Sequence, residues 1–156
     1  MNFSTEVFLE NLAPTSPFPF LLPIERAEGL YLYEPGGKRY MDLISGIGVS
    51  SLGHRHPEVV SAIKEQLDKH LHVMVYGEYI QHSSNALAEL LTSLLPEPLN
   101  CAYFVNSGTE ANEAALKLAK RVTGRTEIVS FRKSYHGSTH GSLSVSGNEV
   151  KKAAFR

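Results

Sequence analysis

The stretch from Cys101 to Phe131, CAYFVNSGTEANEAALKLAKRVTGRTEIVSF, constrains the fold more than any other part of the chain. It opens on a short, continuous apolar run and passes through a polar turn that contains a glycine. Ala111, Ala114, Ala115, Leu118, Ala119 and Val122 then recur at helical spacing before Gly124, and a second apolar run, EIVSF, follows. Continuous runs of this length suit strands buried on both faces of a parallel sheet. The intervening spacing predicts a helix with one apolar face, and glycine is the usual residue just past a helix end. Strand, helix, strand in this order is a βαβ unit, whose strands run parallel. The expected fold class is α/β.

The chain before this unit reads differently. TEVFLENL predicts a short helix, followed by an arm punctuated by Pro14, Pro17, Pro19 and Pro23. LYLYEPGGKRYMDL alternates around EPGGK and predicts a hairpin with a glycine turn. After the glycine-rich SGIGVSSLGHRHP, Pro57 opens a helix with Val59, Val60, Ile63, Leu67 and Leu71 spaced for one buried face. A second helix, about Asn85 to Leu95, carries Leu87, Leu90, Leu91 and Leu94 and stops at Pro96. The chain closes on NEVKKAAFR after about two strands of a sheet that needs more, which reads as the front portion of a larger protein.

Composition narrows the functions. With 156 residues, 42% hydrophobic and 20% charged, the chain suits one soluble domain with a core. A formal net charge of −1, with no basic block interleaved with aromatics, argues against a nucleic-acid partner. No apolar run reaches the length of a membrane span, and the prolines and missing early cations argue against a secretory signal. Cys101 is the single cysteine, expected as a buried, inert thiol, and a cytoplasmic location follows from the absence of a disulfide pair.

The turn NSGTEANEAA supports two readings. Ser107 and Glu110 match a capping box, in which Ser107 accepts a helix N–H and Glu110 reaches back. The same helix start leaves backbone N–H groups without partners at the positive end of the macrodipole. Gly108 leaves the backbone open to an anion, and Ser107 and Thr109 could add hydroxyl donors. A second polar loop, SYHGSTHG, follows the next expected strand and would emerge at the same carboxyl edge, where open α/β sheets bind ligands. Tyr135, beside His136 and Gly137, offers a flat ring suited to stacking on a planar heteroaromatic. A phosphate seat with an aromatic shelf describes a flat phosphorylated cofactor. His136 and His140 lack a carboxylate or cysteine at ligand spacing, so no metal is expected there. His54 and His56 read as loop and helix-entry residues.

Together, GIGVSSLGHRHPEVVSAI, YFVNSGTEANEAALKLAKR and SYHGSTHGSLSVSG resemble the N-terminal part of class III pyridoxal-phosphate-dependent aminotransferases, the group that acts on acetylornithine, ornithine, 4-aminobutyrate and diaminopelargonate. The resemblance runs from roughly Leu30 to Gly147. It implies the N-terminal part of a PLP-dependent transferase of fold type I, working as a homodimer. Residues 1–97 would form the arm, hairpin and helices of the small domain and dimer contacts, and residues 98–156 the start of the cofactor-binding large domain. The cofactor would be pyridoxal 5′-phosphate, its phosphate held by Ser107, Gly108 and Thr109, with Tyr135 stacked on the ring and His136 beside it. Ile47 falls where family members line the substrate pocket. The small-molecule partners would be an amino donor and a 2-oxo acid acceptor.

Two departures qualify what the resemblance implies. Many carboxylate-binding members carry arginine directly after the aromatic-His-Gly trio, whereas Ser138 stands here, so a bidentate clamp is missing. That weakens acetylornithine, ornithine and 4-aminobutyrate as specific substrates. In the family order, the Schiff-base lysine and the aspartate that pairs with the pyridinium nitrogen lie beyond Arg156. No lysine here stands in a comparable context, so the resemblance puts no catalytic residue in this chain, which is expected to be inactive unaided. The alternatives are an aminomutase or racemase on the same fold and cofactor, and a non-catalytic truncated relic.

Overall fold

A computed structural model of the chain describes residues 3–74 and 77–155, which fall into two compact units, 1–78 and 79–156. In the first unit, helix α1 (Thr5–Asn11) starts where the Ser4 hydroxyl accepts the Val7 N–H at 3.2 Å, a side-chain cap of the usual kind. The arm follows and leads into a three-stranded antiparallel sheet, β1 (Arg26–Glu28), β2 (Tyr31–Tyr33) and β3 (Arg39–Met41), in sequential order. The expected hairpin is β2–β3, with Leu32 opposite Tyr40. Gly37, at φ 83°, closes its turn in a conformation that costs glycine little. Strand β1 carries no sequence signal of its own, because RAE is too short to show alternation. It is held by the Arg26–Tyr33 pairing, in which the guanidinium lies 3.6 Å from the ring centroid.

Beyond β3 the chain makes one turn, α2 (Ser45–Gly48), and then helix α3 (Pro57–Leu67) opens on Pro57 as its composition predicts. In the second unit, α4 (His82–Leu94) is followed by α5 (Gly108–Thr123), which ends at Gly124 in the left-handed conformation, φ 68°. The short helices α6 (His140–Val145) and α7 (Glu149–Lys152) and a 3₁₀ turn (Ala153–Phe155) complete the described chain.

Two expectations fail. The runs CAYFV and EIVSF form no β-ladder among the described residues, so the parallel βαβ sheet is not present as such. Nor are they buried: Tyr103, Val129 and Phe131 are exposed, and so is Cys101. A buried parallel strand needs a neighbour for its backbone groups and a layer over each face, and no described element supplies either. The same holds for α3, where Val59, Ile63 and Leu67 form the expected stripe but stay exposed, and Leu71 lies past the helix end. Among the described residues no hydrophobic side chain is buried, and the fully buried side chains are two serines, Ser142 and Ser146. Tight packing is therefore concentrated where α6 and the loop before it meet α5.

Candidate functional site

Helix α5 begins as its sequence dictates. The Ser107 hydroxyl accepts the Glu110 N–H at 3.3 Å, and the Glu110 carboxylate reaches back to the Asn106 N–H at 2.7 Å. The capping box forms, with its return bond one residue before the cap. The backbone N–H groups of Gly108 and Thr109 donate to no protein acceptor among the described residues. Beyond its chain neighbours and the adjoining helix backbone, no described atom lies within 4 Å of the place a Cβ on Gly108 would occupy. Capping and open donors coexist at this helix start.

The loop that carries Tyr135 and His136 lies against this turn. Asn112 Nδ2 donates to the His136 carbonyl at 2.6 Å, and the Thr109 and Thr139 hydroxyls are 2.8 Å apart. Gly137, buried at φ 127°, is required here, since a Cβ would overlap the Thr109 side chain. The structure thus brings Ser107, Gly108 and Thr109 together with the Tyr135–Thr139 loop. Tyr135 is 72% exposed, its hydroxyl 3.3 Å from Ser138 Oγ. A flat face is available beside the open donors.

Five residues that the sequence alone does not mark hold this arrangement: Asn112, Glu113, Thr139, Ser142 and Ser146. Glu113, one turn into α5, accepts the Thr139 hydroxyl at 2.5 Å and the Ser142 N–H at 2.9 Å. The Thr139 hydroxyl, then the Ser142 N–H, hold its carboxyl below its ordinary value, with the Gly141 N–H and His140 adding to the effect against partial desolvation. An ionised carboxylate only accepts, so the single Thr139 hydroxyl proton points at Glu113. The proton shared between the two threonines is then that of Thr109, and the Thr109 hydroxyl is committed away from any anion at the helix start. Its backbone N–H remains the open donor. Ser142 Oγ donates to the Thr109 carbonyl at 2.9 Å, and the His136 N–H donates to Ser146 Oγ at 2.9 Å. The packed face of α5 is therefore Thr109, Asn112 and Glu113, not the alanine stripe that the hydrophobic period marked out. The available signal was the matching run of small residues, Gly137, Gly141, Ser142, Ser146 and Gly147.

Ile47 lies in the first unit, 90% exposed, inside a turn where Ser45, Gly46, Ile47 and Gly48 all have positive φ. This is a left-handed turn, costing roughly 1–2 kcal/mol at each non-glycine position. Asp42 holds it: Oδ1 accepts the Ser45 N–H at 2.8 Å and the Ile44 N–H at 3.0 Å, while Oδ2 lies 2.7 Å from His54 Nε2. The Ser45 N–H, then His54, keep the Asp42 carboxyl below its ordinary value. His54 is thus a partner of Asp42, and its backbone also bridges to Gly29. His56 is the residue before α3, as expected of a helix-entry residue.

No described group of histidine, cysteine and carboxylate side chains could hold a metal ion, and no described helix is long and apolar enough to cross a membrane.

Comparison with known proteins places the chain. The model of the aminotransferase class-III family matches residues 13–156. Acetylornithine aminotransferase of Halalkalibacterium halodurans is 44% identical over 133 residues, covering 85% of this chain and 33% of that protein. The acetylornithine aminotransferase of Archaeoglobus fulgidus is also 44% identical, over 132 residues, 85% of this chain and 34% of that protein. Among solved structures, adenosylmethionine-8-amino-7-oxononanoate aminotransferase of Methanocaldococcus jannaschii superimposes with a TM-score of 0.86 at 32% identity, over 96% of this chain and 37% of that one. Taurine:2-oxoglutarate aminotransferase of Bifidobacterium kashiwanohense, solved with PLP and glutamate, gives a TM-score of 0.84 at 36% identity, over 94% of this chain and 33% of that one. The chain belongs to the class III aminotransferase family, whose members depend on pyridoxal phosphate. It spans about one third of the length of these curated relatives.

Proposed function

We propose that this chain forms the cofactor-phosphate seat of a PLP-dependent aminotransferase of fold type I. The protein would move an amino group from an amine or amino acid to a 2-oxo acid. The observation that carries the reading is the pair of open N–H groups at Gly108 and Thr109 with the Tyr135 loop docked beside them. The donor set fits a phosphate: two backbone donors, a free Ser107 hydroxyl proton and the positive end of a 16-residue helix. Tyr135 would cover one face of the pyridine ring and His136 would flank it. Bound there, pyridoxal 5′-phosphate supplies the electron sink for amino-group transfer. The residues of this chain bind the phosphate, orient the ring and shield one face from water.

Residues 1–97 are proposed as arm, small-domain and dimer-contact segments, residues 98–156 as the start of the cofactor-binding domain, and the assembly as a cytoplasmic homodimer. Ile47, presented by the strained turn, is proposed to touch the substrate. Ser138 cannot form the two parallel hydrogen bonds an arginine gives a carboxylate, so a substrate carboxylate would be read elsewhere.

The test is titration of the intact protein with pyridoxal 5′-phosphate, followed by absorbance, before and after adding amino donors. Saturable uptake that weakens when Gly108 is replaced by a bulky residue, as in Gly108→Val, is the expected outcome. Absence of saturable uptake would overturn the reading.

A further inference from the structure

Glu113 sits on α5 four residues beyond Thr109 and touches none of the open donors. Yet its carboxylate is where the loop and the helix are joined. It takes the Thr139 hydroxyl and the Ser142 N–H, and Thr139 in turn takes the Thr109 hydroxyl at 2.8 Å and lies with its N–H 3.4 Å from the same oxygen. Two glycines make room for this junction: a Cβ on Gly141 would collide with the Glu113 carboxylate, and one on Gly137 with Thr109. Behind it, Ser142 and Ser146 are buried, and each hydroxyl donates to a backbone carbonyl, that of Thr109 and that of Ser142 respectively. Charge-assisted hydrogen bonds are about twice as strong as neutral ones, which makes the carboxylate the strongest single acceptor at this contact.

We propose that Glu113 is a positioning residue, which docks the Tyr135–Thr139 loop on the first turn of α5 and so sets the affinity for a phosphorylated cofactor. It acts through Thr139 and Ser142. The hydroxyl chain Thr109 to Thr139 to Glu113 also fixes which donors face the ligand, leaving the backbone N–H groups of Gly108 and Thr109 open while the Thr109 hydroxyl turns inward. The proposal rests on the cofactor reading above.

The experiment compares pyridoxal 5′-phosphate uptake by the intact protein and by Glu113→Ala, Glu113→Gln and Thr139→Val. Hydrogen exchange of residues 135–142 is measured alongside. Glu113→Ala is expected to weaken uptake about tenfold or more, the equivalent of losing at least one hydrogen bond to a charged group. Exchange should accelerate in that loop and stay unchanged in α3. Glu113→Gln keeps an acceptor oxygen in place and is expected to recover affinity to within about threefold. Thr139→Val, which keeps the shape and removes the bridging hydroxyl, should weaken uptake several-fold even if Glu113→Ala proves too unstable to fold. Unchanged affinity in Glu113→Ala or Thr139→Val would overturn the proposal alone, as would a Gln variant as impaired as the Ala one. An unaltered protein that takes up no cofactor would overturn the cofactor reading and this proposal with it.

Discussion

Two carboxylates, Asp42 in the first unit and Glu113 in the second, do similar work on different kinds of backbone. Each accepts backbone N–H groups and one side-chain donor, and each is held below its ordinary titration range by those bonds. Asp42 secures a local, strained segment, with N–H partners two and three residues away and His54 twelve residues away. Glu113 secures an unstrained long-range contact, with partners 26 and 29 residues away. The strained turn projects Ile47 outward, whereas the long-range junction buries serines and leaves its open donors at the helix end. A turn that must hold an unfavourable conformation is fixed by bonds close in sequence. A contact that must unite two segments is fixed by matched small residues and one strong acceptor.

The largest expected effect breaks the second region. Gly137→Ala places a methyl group against Thr109 and forces φ 127° on a residue that resists it, and should cost on the order of 3 kcal/mol. Thermal melting should show the loss, and cofactor uptake should fall with it. Next is Ser146→Ala, which leaves the half-buried His136 N–H without its acceptor and should cost about 1–2 kcal/mol, measured by urea unfolding.

The first region should respond in the opposite sense. Ile47→Asn replaces a β-branched residue at φ 64° with one that tolerates that conformation, and little packing is lost at 90% exposure. A gain of up to about 1 kcal/mol is expected, and a loss would mean that the turn is not strained.

The smallest effect is a pH dependence shared by both regions. Because the folded-state values of Asp42 and Glu113 are depressed, the unfolded chain binds more protons in the acid range, and stability there rises with pH. Their contribution is present above about pH 4, the unfolded carboxylate range, and is lost as pH falls through the depressed values. Unfolding curves across this range should flatten in both Asp42→Asn and Glu113→Gln. A variant with the slope of the unaltered protein would remove that carboxylate from the account.

Much of the candidate site is legible in the sequence. The cap at Ser107, the open turn at Gly108, the stop at Gly124 and the helix start at Pro57 all follow from chemistry within a few residues, where backbone preference decides. The face of α5 that packs was not legible from its apolar period. Hydrophobic spacing singles out Ala111, Ala114, Ala115, Leu118, Ala119 and Val122, but α6 and the loop before it dock on Thr109, Asn112 and Glu113, where Gly137 and Gly141 allow close approach. The Asp42–His54 pair was hidden for a related reason: twelve residues and a left-handed turn separate its members. Strand β1 carried too few residues for any period to register.

By itself, the sequence determined the local events: which residues cap, turn and stop the helices, and which motifs tie the chain to its family. Its apolar stripes on α3 and α5, and the runs CAYFV and EIVSF, state which surfaces favour burial. They do not name what covers them, because burial depends on a second surface. Only the tertiary structure decided that the Tyr135 loop rests on the first turn of α5, that Glu113 joins them, and that the Thr109 hydroxyl faces inward. The physical reason is that a hydrogen-bond chain across 26 to 33 residues needs shape as well as residue type. Glycines clear the space, and the one ionised acceptor then directs the protons.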